Sequence, residues 1–235
     1  QIGFEIGFGI SHYIAFMNPF PLLPNHVVIA SPTHRTQELM LFHDNEQNQE
    51  LALMLNDLCE LAKRLPNYIG FYNGVGAGAS IPGHFHFQFF QRAPDLPQFP
   101  LEERNFSDVG CDSTTTLVEN YPIQVFKWTG ELDEVVATAT AWITNFVETS
   151  EYERQQLTAN FIATTSKTSK AVTLYFVPRH RLKQFWNGNA GIVGGLEILG
   201  EIVLASNEEC DLIAKNIMNF DFIERALSRV SSPFF

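Results

Sequence analysis

Gly83-His84-Phe85-His86-Phe87-Gln88-Phe89 sets two imidazoles and a carboxamide at alternate positions. In an extended chain, His84, His86 and Gln88 share one face, and Phe85, Phe87 and Phe89 share the other. Three phenyl rings can anchor the strand in a core while the polar face stays open to a ligand. A neutral imidazole nitrogen is a competent nucleophile near pH 7, because its unperturbed pKa is about 6.5. The attacking nitrogen must keep its lone pair, so the other ring nitrogen has to hold a proton and give it to a fixed acceptor. Just upstream, Asn73-Gly74-Val75-Gly76-Ala77-Gly78-Ala79-Ser80 is a run of small residues able to bring backbone N–H groups close to an anion. Fixed donors of that kind stabilise charge building on non-bridging oxygens. A phosphate-cradling loop feeding an imidazole strand is an arrangement suited to attack on phosphorus.

Two other uses of the pattern are open. A His-x-His strand can hold zinc or iron, but such a site wants a third His or a carboxylate. Gln88 is a poor ligand and no acidic residue follows before Asp95, so no metal site is expected. The histidines could also be purely structural, which the nearby glycine loop and Pro24-Asn25-His26 argue against. Arg179, His180, Arg181 and Lys183 form the densest positive cluster of the chain. Either it is a solvated turn, or Arg179, Arg181 and Lys183 reach a substrate phosphate from a strand end; the second reading is preferred.

The elements that must hold these residues can be read from periodicity. Ile10–Phe16 and His26–Ala30 read as strands around the proline-rich turn Asn18-Pro19-Phe20-Pro21-Leu22-Leu23-Pro24-Asn25. Glu46–Leu65 carries Leu51, Met54, Leu55, Leu58, Leu61, Ala62 and Leu65 at helical spacing, and Pro66 ends it. Tyr68–Tyr72 begins a strand that leads into the glycine loop. Ala93–Pro100, rich in proline, is the best connector. Beyond it the pattern recurs weakly: Ile123–Trp128, Asn160–Thr164 and Ala171–Val177 are strand-like, and Glu131–Val147 and Glu208–Met218 helical. Ala190–Ala205 reads as strand and turn. The expectation is an α+β fold of two related halves, with a catalytic half over 1–92, a connector over 93–120 and a second half over 121–235 completing the site.

Composition narrows the function. With 235 residues, 17% charged and 21 phenylalanines, the chain is globular and not disordered. A formal charge of −11 argues against nucleic acid or an anionic membrane as the main partner. Cys59, Cys111 and Cys210 show neither metal-ligand spacing nor a disulfide framework, which fits a reducing cytoplasm. No secretory segment is apparent at the N-terminus, and the apolar run from Ala190 to Ala205 is broken by Glu197, Glu201 and four glycines, a poor membrane span.

Taken together, the Asn73–Ser80 loop and His84-Phe85-His86-Phe87-Gln88 resemble the histidine-triad superfamily. The likeness is to the branch with Gln at the third triad position: galactose-1-phosphate uridylyltransferases, diadenosine tetraphosphate phosphorylases and GDP-hexose phosphorylases. Asn18-Pro19-Phe20-Pro21, Pro24-Asn25-His26-Val27-Val28-Ile29 and Pro32-Thr33-His34 are similar to that family's nucleoside-binding strand pair. Leu174-Tyr175-Phe176-Val177-Pro178-Arg179-His180 is similar to the C-terminal part of the phosphorylases. The resemblance implies a histidine-triad-like antiparallel sheet with flanking helices, plus a degenerate second half of similar architecture. It implies that His86 takes the α-phosphate as a covalent nucleotidyl-histidine, that His84 helps fix its ring and that Gln88 donates to a phosphate oxygen. Asn73, Gly78 and Ser80 would contact the phosphates, His26 would support the histidine pair, and Asn18, Phe20 and Pro21 would lie near the nucleoside.

The expected activity is nucleotidyl transfer or phosphorolysis on a dinucleoside polyphosphate or nucleotide sugar, in two steps, with phosphate or a sugar phosphate as acceptor. An amide at position 88 cannot titrate, so it can hold and orient but cannot activate water. A hydrolase on the same scaffold and a non-catalytic nucleotide sensor are the alternatives. No tightly held cofactor is expected, though a divalent cation could accompany the nucleotide. Relatives often pair as homodimers. The cysteine and histidine metal ligands of many uridylyltransferases have no counterpart in this sequence.

Overall fold

The computed structural model describes residues 3–39, 48–92, 98–109, 112–166, 168–183, 185–187, 190–204 and 206–231. The chain runs through β1 (Phe4–Phe8), β2 (Ser11–Met17), β3 (Val27–Ala30), α1 (Asn48–Arg64), β4 (Tyr68–Asn73) and β5 (His86–Gln91). It continues through β6 (Phe106–Val109), β7 (Asp112–Val118), β8 (Phe126–Gly130), α2 (Leu132–Thr149), β9 (Leu157–Thr165) and β10 (Val172–His180). A small hairpin of β11 (Phe185–Asn187) and β12 (Ala190–Ile192) leads to α3 (Gly195–Leu199), α4 (Asn207–Ala214) and α5 (Phe220–Val230).

Among the described residues, ten strands form one antiparallel sheet in the order β1-β2-β3-β5-β4-β9-β10-β8-β7-β6. The order repeats: β1-β2-β3-β5-β4 is followed, in reverse across the sheet, by β6-β7-β8-β10-β9, with α1 and α2 at corresponding places in the chain. The two groups join where β4 meets β9, in a register running from Gly70 opposite Ala163 to Asn73 opposite Asn160. Strands β6 and β7 lie within the stretch 93–120 expected to be connector; residues 93–97, 110 and 111 of that stretch fall outside those described.

The sheet has two differently dressed faces. On one, the α1 residues Leu51, Met54, Leu55, Leu58 and Ala62 pack with Val135, Ile143 and Phe146 of α2 against Phe85, Phe87, Phe89, Phe161 and Phe176. These α1 positions recur at helical spacing, so burying them removes one full stripe of apolar surface from water. On the other face, Leu196 and Leu199 of α3, Leu227 and Val230 of α5, and Phe99 and Leu101 cover Ile162, Tyr175 and Val177 of the second group. Over β3 and β5 of the first group no helix among the described residues lies, and a cavity opens there.

Two segments depart from the sequence reading. Residues 195–199 are helical where strand and turn were expected, because the Glu197 carboxylate accepts the Gly194 N–H (2.9 Å) and caps the helix start. The helix expected over Glu208–Met218 is shorter, Asn207–Ala214, and is opened by a capping box between Ser206 and Glu209.

Candidate active site

The cavity has a volume of about 1060 Å³ and is floored by β2, β3, β4 and β5. His84, His86 and Gln88 line it together with His26, Asn18, Phe20, Asn73, Gly78 and Ser80. The turn between β2 and β3 forms one wall. Residues 192–197, with Val203, Ser206 and Glu209, form the other.

Residue His86 is held at three points. Its backbone N–H donates to Gln37 Oε1 (2.8 Å), and Gln37 Nε2 donates to its carbonyl (2.8 Å), so a side chain completes the ladder where the strand begins. Its ring Nδ1 lies 2.8 Å from the His84 carbonyl oxygen, which can only accept. Nδ1 therefore carries the proton, and Nε2 is left with the lone pair. Burial lowers the pKa of His86 below the ordinary imidazole value, and a charge on His84 lowers it further, although the bond to the His84 carbonyl opposes this. The ring is neutral at pH 7 with its tautomer fixed. His84 is itself fixed, its Nε2 donating to the Ser31 carbonyl (2.8 Å).

Gln88 is oriented by similar logic. His26 is fully buried against Phe90, at 4.1 Å between ring centroids. Burial depresses its pKa to about 4, against the bond to Gln88, and the nearby His86 depresses it further. The Leu22 N–H points at His26 Nδ1 (3.4 Å), with Asn18 Nδ2 3.2 Å from the same nitrogen, so Nδ1 accepts. His26 Nε2 then donates to Gln88 Oε1 (2.9 Å). With its oxygen occupied, Gln88 turns its NH₂ group outward as a donor. Asn18 is locked in turn by the Phe20 N–H on its Oδ1 (2.9 Å).

The glycine loop is shaped by close packing against the second half of the chain. Gly78 has φ +94°, and a Cβ there would lie 2.6 Å from Gly194 Cα. Gly76, at φ +77°, meets the Arg181 backbone in the same way. Both positions demand glycine for conformation and for space. The loop's small residues thus let the 193–195 segment close over the cavity, a role the sequence reading did not give them.

The members of the basic cluster are not among the residues that line the cavity. Arg179 is fully buried and spends its donors on protein acceptors: Asn160 Oδ1 (2.8 Å) and the carbonyls of Val193 (3.0 Å), Val230 (3.2 Å) and Lys183 (3.3 Å). Arg181 pairs with Glu38 at 2.6 Å. Neither Arg179, Arg181 nor Lys183 lines the cavity, nor does Pro21. A charged group drawn into the fold needs fixed acceptors, and for Arg179 and Arg181 these are backbone carbonyls, Asn160 and Glu38. No Lys or Arg among the described residues lines the cavity, whereas Glu197 and Glu209 do. Burial raises the pKa of Glu197, opposed by the backbone N–H groups that bind it.

Gln37, Asn160, Glu197 and Glu209 were not singled out from sequence. Ser206-x-x-Glu209 is a capping-box pattern and was legible as one. Gln37 carried no such signal. Among the described residues no three His, Cys, Asp or Glu side chains gather as a metal-holding group, and no helix is long and apolar enough to cross a membrane.

A family model described as a domain of unknown function, DUF4922, matches residues 5–91. A search of curated protein sequences finds no match. Among solved structures, yeast Ap4A phosphorylase Apa2 is similar with a TM-score of 0.63 at 17% identity, over 94% of this chain and 72% of that chain. The same yeast protein in complex with Ap4A gives 0.61 at 18%, over 94% and 74%. A uridylyltransferase gives only 0.37 at 12%, over 96% and 79%, too slight to build on. At these identities the likeness to the yeast enzyme is one of fold: a large antiparallel sheet with flanking helices, α+β in class.

Proposed function

We propose that this protein transfers a nucleotidyl group through a covalent intermediate on His86, in the histidine-triad branch with Gln at the third position, and that its second half is a degenerate copy of the first. The observation that carries the reading is the 2.8 Å bond from His86 Nδ1 to the His84 carbonyl, which leaves a neutral Nε2 lone pair on the cavity side of β5. His86 Nε2 attacks the α-phosphorus of a dinucleoside polyphosphate or nucleotide sugar. The N–P bond forms as the P–O bond to the phosphorylated leaving group breaks. The imidazole keeps its Nδ1 proton and becomes cationic, and the His84 carbonyl dipole stabilises that charge. Orthophosphate or a sugar phosphate then attacks phosphorus through an oxygen, and the N–P bond electrons return to Nε2.

A phosphate leaving group departs as a stable anion at neutral pH and needs no acid. Water as acceptor would need a base, and Gln88 cannot be one. That favours a phosphate-type acceptor over hydrolysis. Gln88 Nε2, Asn73 and Ser80 supply neutral donors to the phosphate oxygens, which suits a polyphosphate whose charge is partly neutralised by a divalent cation carried in with it. The test is incubation with labelled Ap4A and with several nucleotide sugars, each with and without orthophosphate. An acid-labile nucleotide adduct, released faster by orthophosphate, is expected in the wild type and absent from His86→Ala. Turnover without any acceptor would point to a hydrolase, and nucleotide recovered unchanged to a sensor.

A further inference from the structure

Behind the cavity wall, a chain of amides runs from the second half of the protein into the first. Arg179 NH1 donates to Asn160 Oδ1 (2.8 Å). Asn160 Nδ2 donates to the Ala77 carbonyl (2.7 Å) and to Asn73 Oδ1 (2.8 Å). Asn73 Oδ1 accepts a second bond from the Gly195 N–H (3.0 Å), and its Nδ2 is directed at the Gly78 carbonyl at 3.5 Å. Asn160 and Arg179 are fully buried, and Asn73 is 6% exposed, at the cavity surface.

An amide can usually be turned over at little cost, exchanging its oxygen and NH₂ group. Here neither amide can be. A guanidinium has no acceptor, so the atom of Asn160 beside it must be oxygen. The Ala77 carbonyl has no donor, so the other atom must be nitrogen. Asn73 must therefore turn its oxygen to Asn160, and the Gly195 N–H requires the same. Asn160 is oriented by two groups from outside the pair, and Asn73 by one from outside and by Asn160 itself. The outcome is directional: Asn73 can present only N–H to the cavity.

We propose that Asn160 and Arg179 are positioning residues that fix the polarity of Asn73, so that the cavity presents a donor to an anionic phosphate oxygen where a free asparagine could equally present a repelling carbonyl. This rests on the reading of Asn73 as a phosphate contact. It gives the buried Arg179 a part in recognition although it never meets the ligand. In a cavity without Lys or Arg among its described lining residues, the sign of each neutral dipole decides whether an anion is held.

Asn160→Asp is the sharpest test. The new carboxylate keeps the bond to Arg179, but both its oxygens only accept. Asn73 can then satisfy it only by turning its NH₂ group inward and its oxygen toward the cavity. The measurement is binding of AMP, GMP and UMP against the corresponding nucleosides by calorimetry, with the melting temperature of each variant. The expected result is a roughly ten- to hundredfold loss of nucleotide affinity, the range for one hydrogen bond to a charged group, with nucleoside affinity unchanged. A folded variant that keeps the wild-type ratio of nucleotide to nucleoside affinity would overturn the proposal. Should Asn160→Asp not fold, the wild type still decides: the ¹⁵N side-chain resonance of Asn73, assigned by its loss in Asn73→Asp, must shift with nucleotide and not with nucleoside. No shift overturns the proposal. The His86 adduct is scored separately. A wild type that forms no adduct while Asn160→Asp loses phosphate preference supports the relay and defeats the transfer reading; an adduct with an unchanged ratio does the reverse.

Discussion

Strands β5 and β10 occupy corresponding places in the two halves of the sheet and are put to opposite uses. At the junction, Tyr72 pairs with Phe161. One residue before each, Phe71 pairs with Gln88 on β5 and Asn160 pairs with Val177 on β10. With that junction pair as the reference, Gln88 is set against Val177 and, two residues back, His86 against Tyr175. Toward the helices the strands are alike, with Phe87 and Phe176 both fully buried. On the other face His86 and Gln88 look into a cavity, while Tyr175 and Val177 lie under α3 and α5. The same backbone frame builds a site or a core according to which side chains face outward and whether a helix covers them.

The largest effect should come from breaking the active side alone. His86→Ala should lower nucleotidyl transfer by roughly 10⁴-fold or more, the scale of losing a nucleophile, while Tyr175→Phe leaves the rate near wild type. Rate assays with labelled donor read both. Next is an attempt to make the second half resemble the first. Tyr175→His with Val177→Gln should gain no activity and lose roughly 3–5 kcal/mol in urea unfolding, because the new polar groups are buried in a largely apolar cluster.

Acid should expose the first half in particular. His26 has a folded pKa of about 4 against about 6.5 unfolded, so the unfolded chain binds the proton more readily. Its contribution is complete above pH 6.5 and is lost as pH falls toward 4, by about 3 kcal/mol in all. Unfolding across that window should flatten in His26→Gln, and an unchanged difference curve would contradict the neutral buried ring. The depressed pKa of His86 has the same sign, so adduct formation should persist somewhat below pH 6.5. The smallest effect is expected from Gly78→Ala, about 2 kcal/mol of stability, from a positive φ and a Cβ 2.6 Å from Gly194. A thermal melt checks it.

What the sequence disclosed follows from how local each signal is. The α1 periodicity and the alternation through Phe85, Phe87 and Phe89 are properties of neighbouring residues, and both describe the structure. Strand β6 is a short, mostly exposed edge with no alternation to detect, whereas β1 does alternate at Phe4, Ile6 and Phe8 but is only five residues long and largely exposed. The bond pair between Gln37 and His86 spans 49 residues and leaves no mark on spacing. Arg179 misled for a physical reason: a cluster of positive residues looks solvent-exposed until three backbone carbonyls and the Asn160 side-chain oxygen converge on one member. Its partners on β9, beside α3 and at the close of α5 belong to tertiary structure alone.

The contact between Gly78 and Gly194 bears on how this protein comes to life on the ribosome. Everything through β5 can emerge while the opposite cavity wall is still unmade, and Arg179 lacks its Val230 acceptor until α5 is translated. A nascent chain therefore carries His86 beside an unfinished cleft, whose walls are complete only when distant stretches of the polypeptide meet.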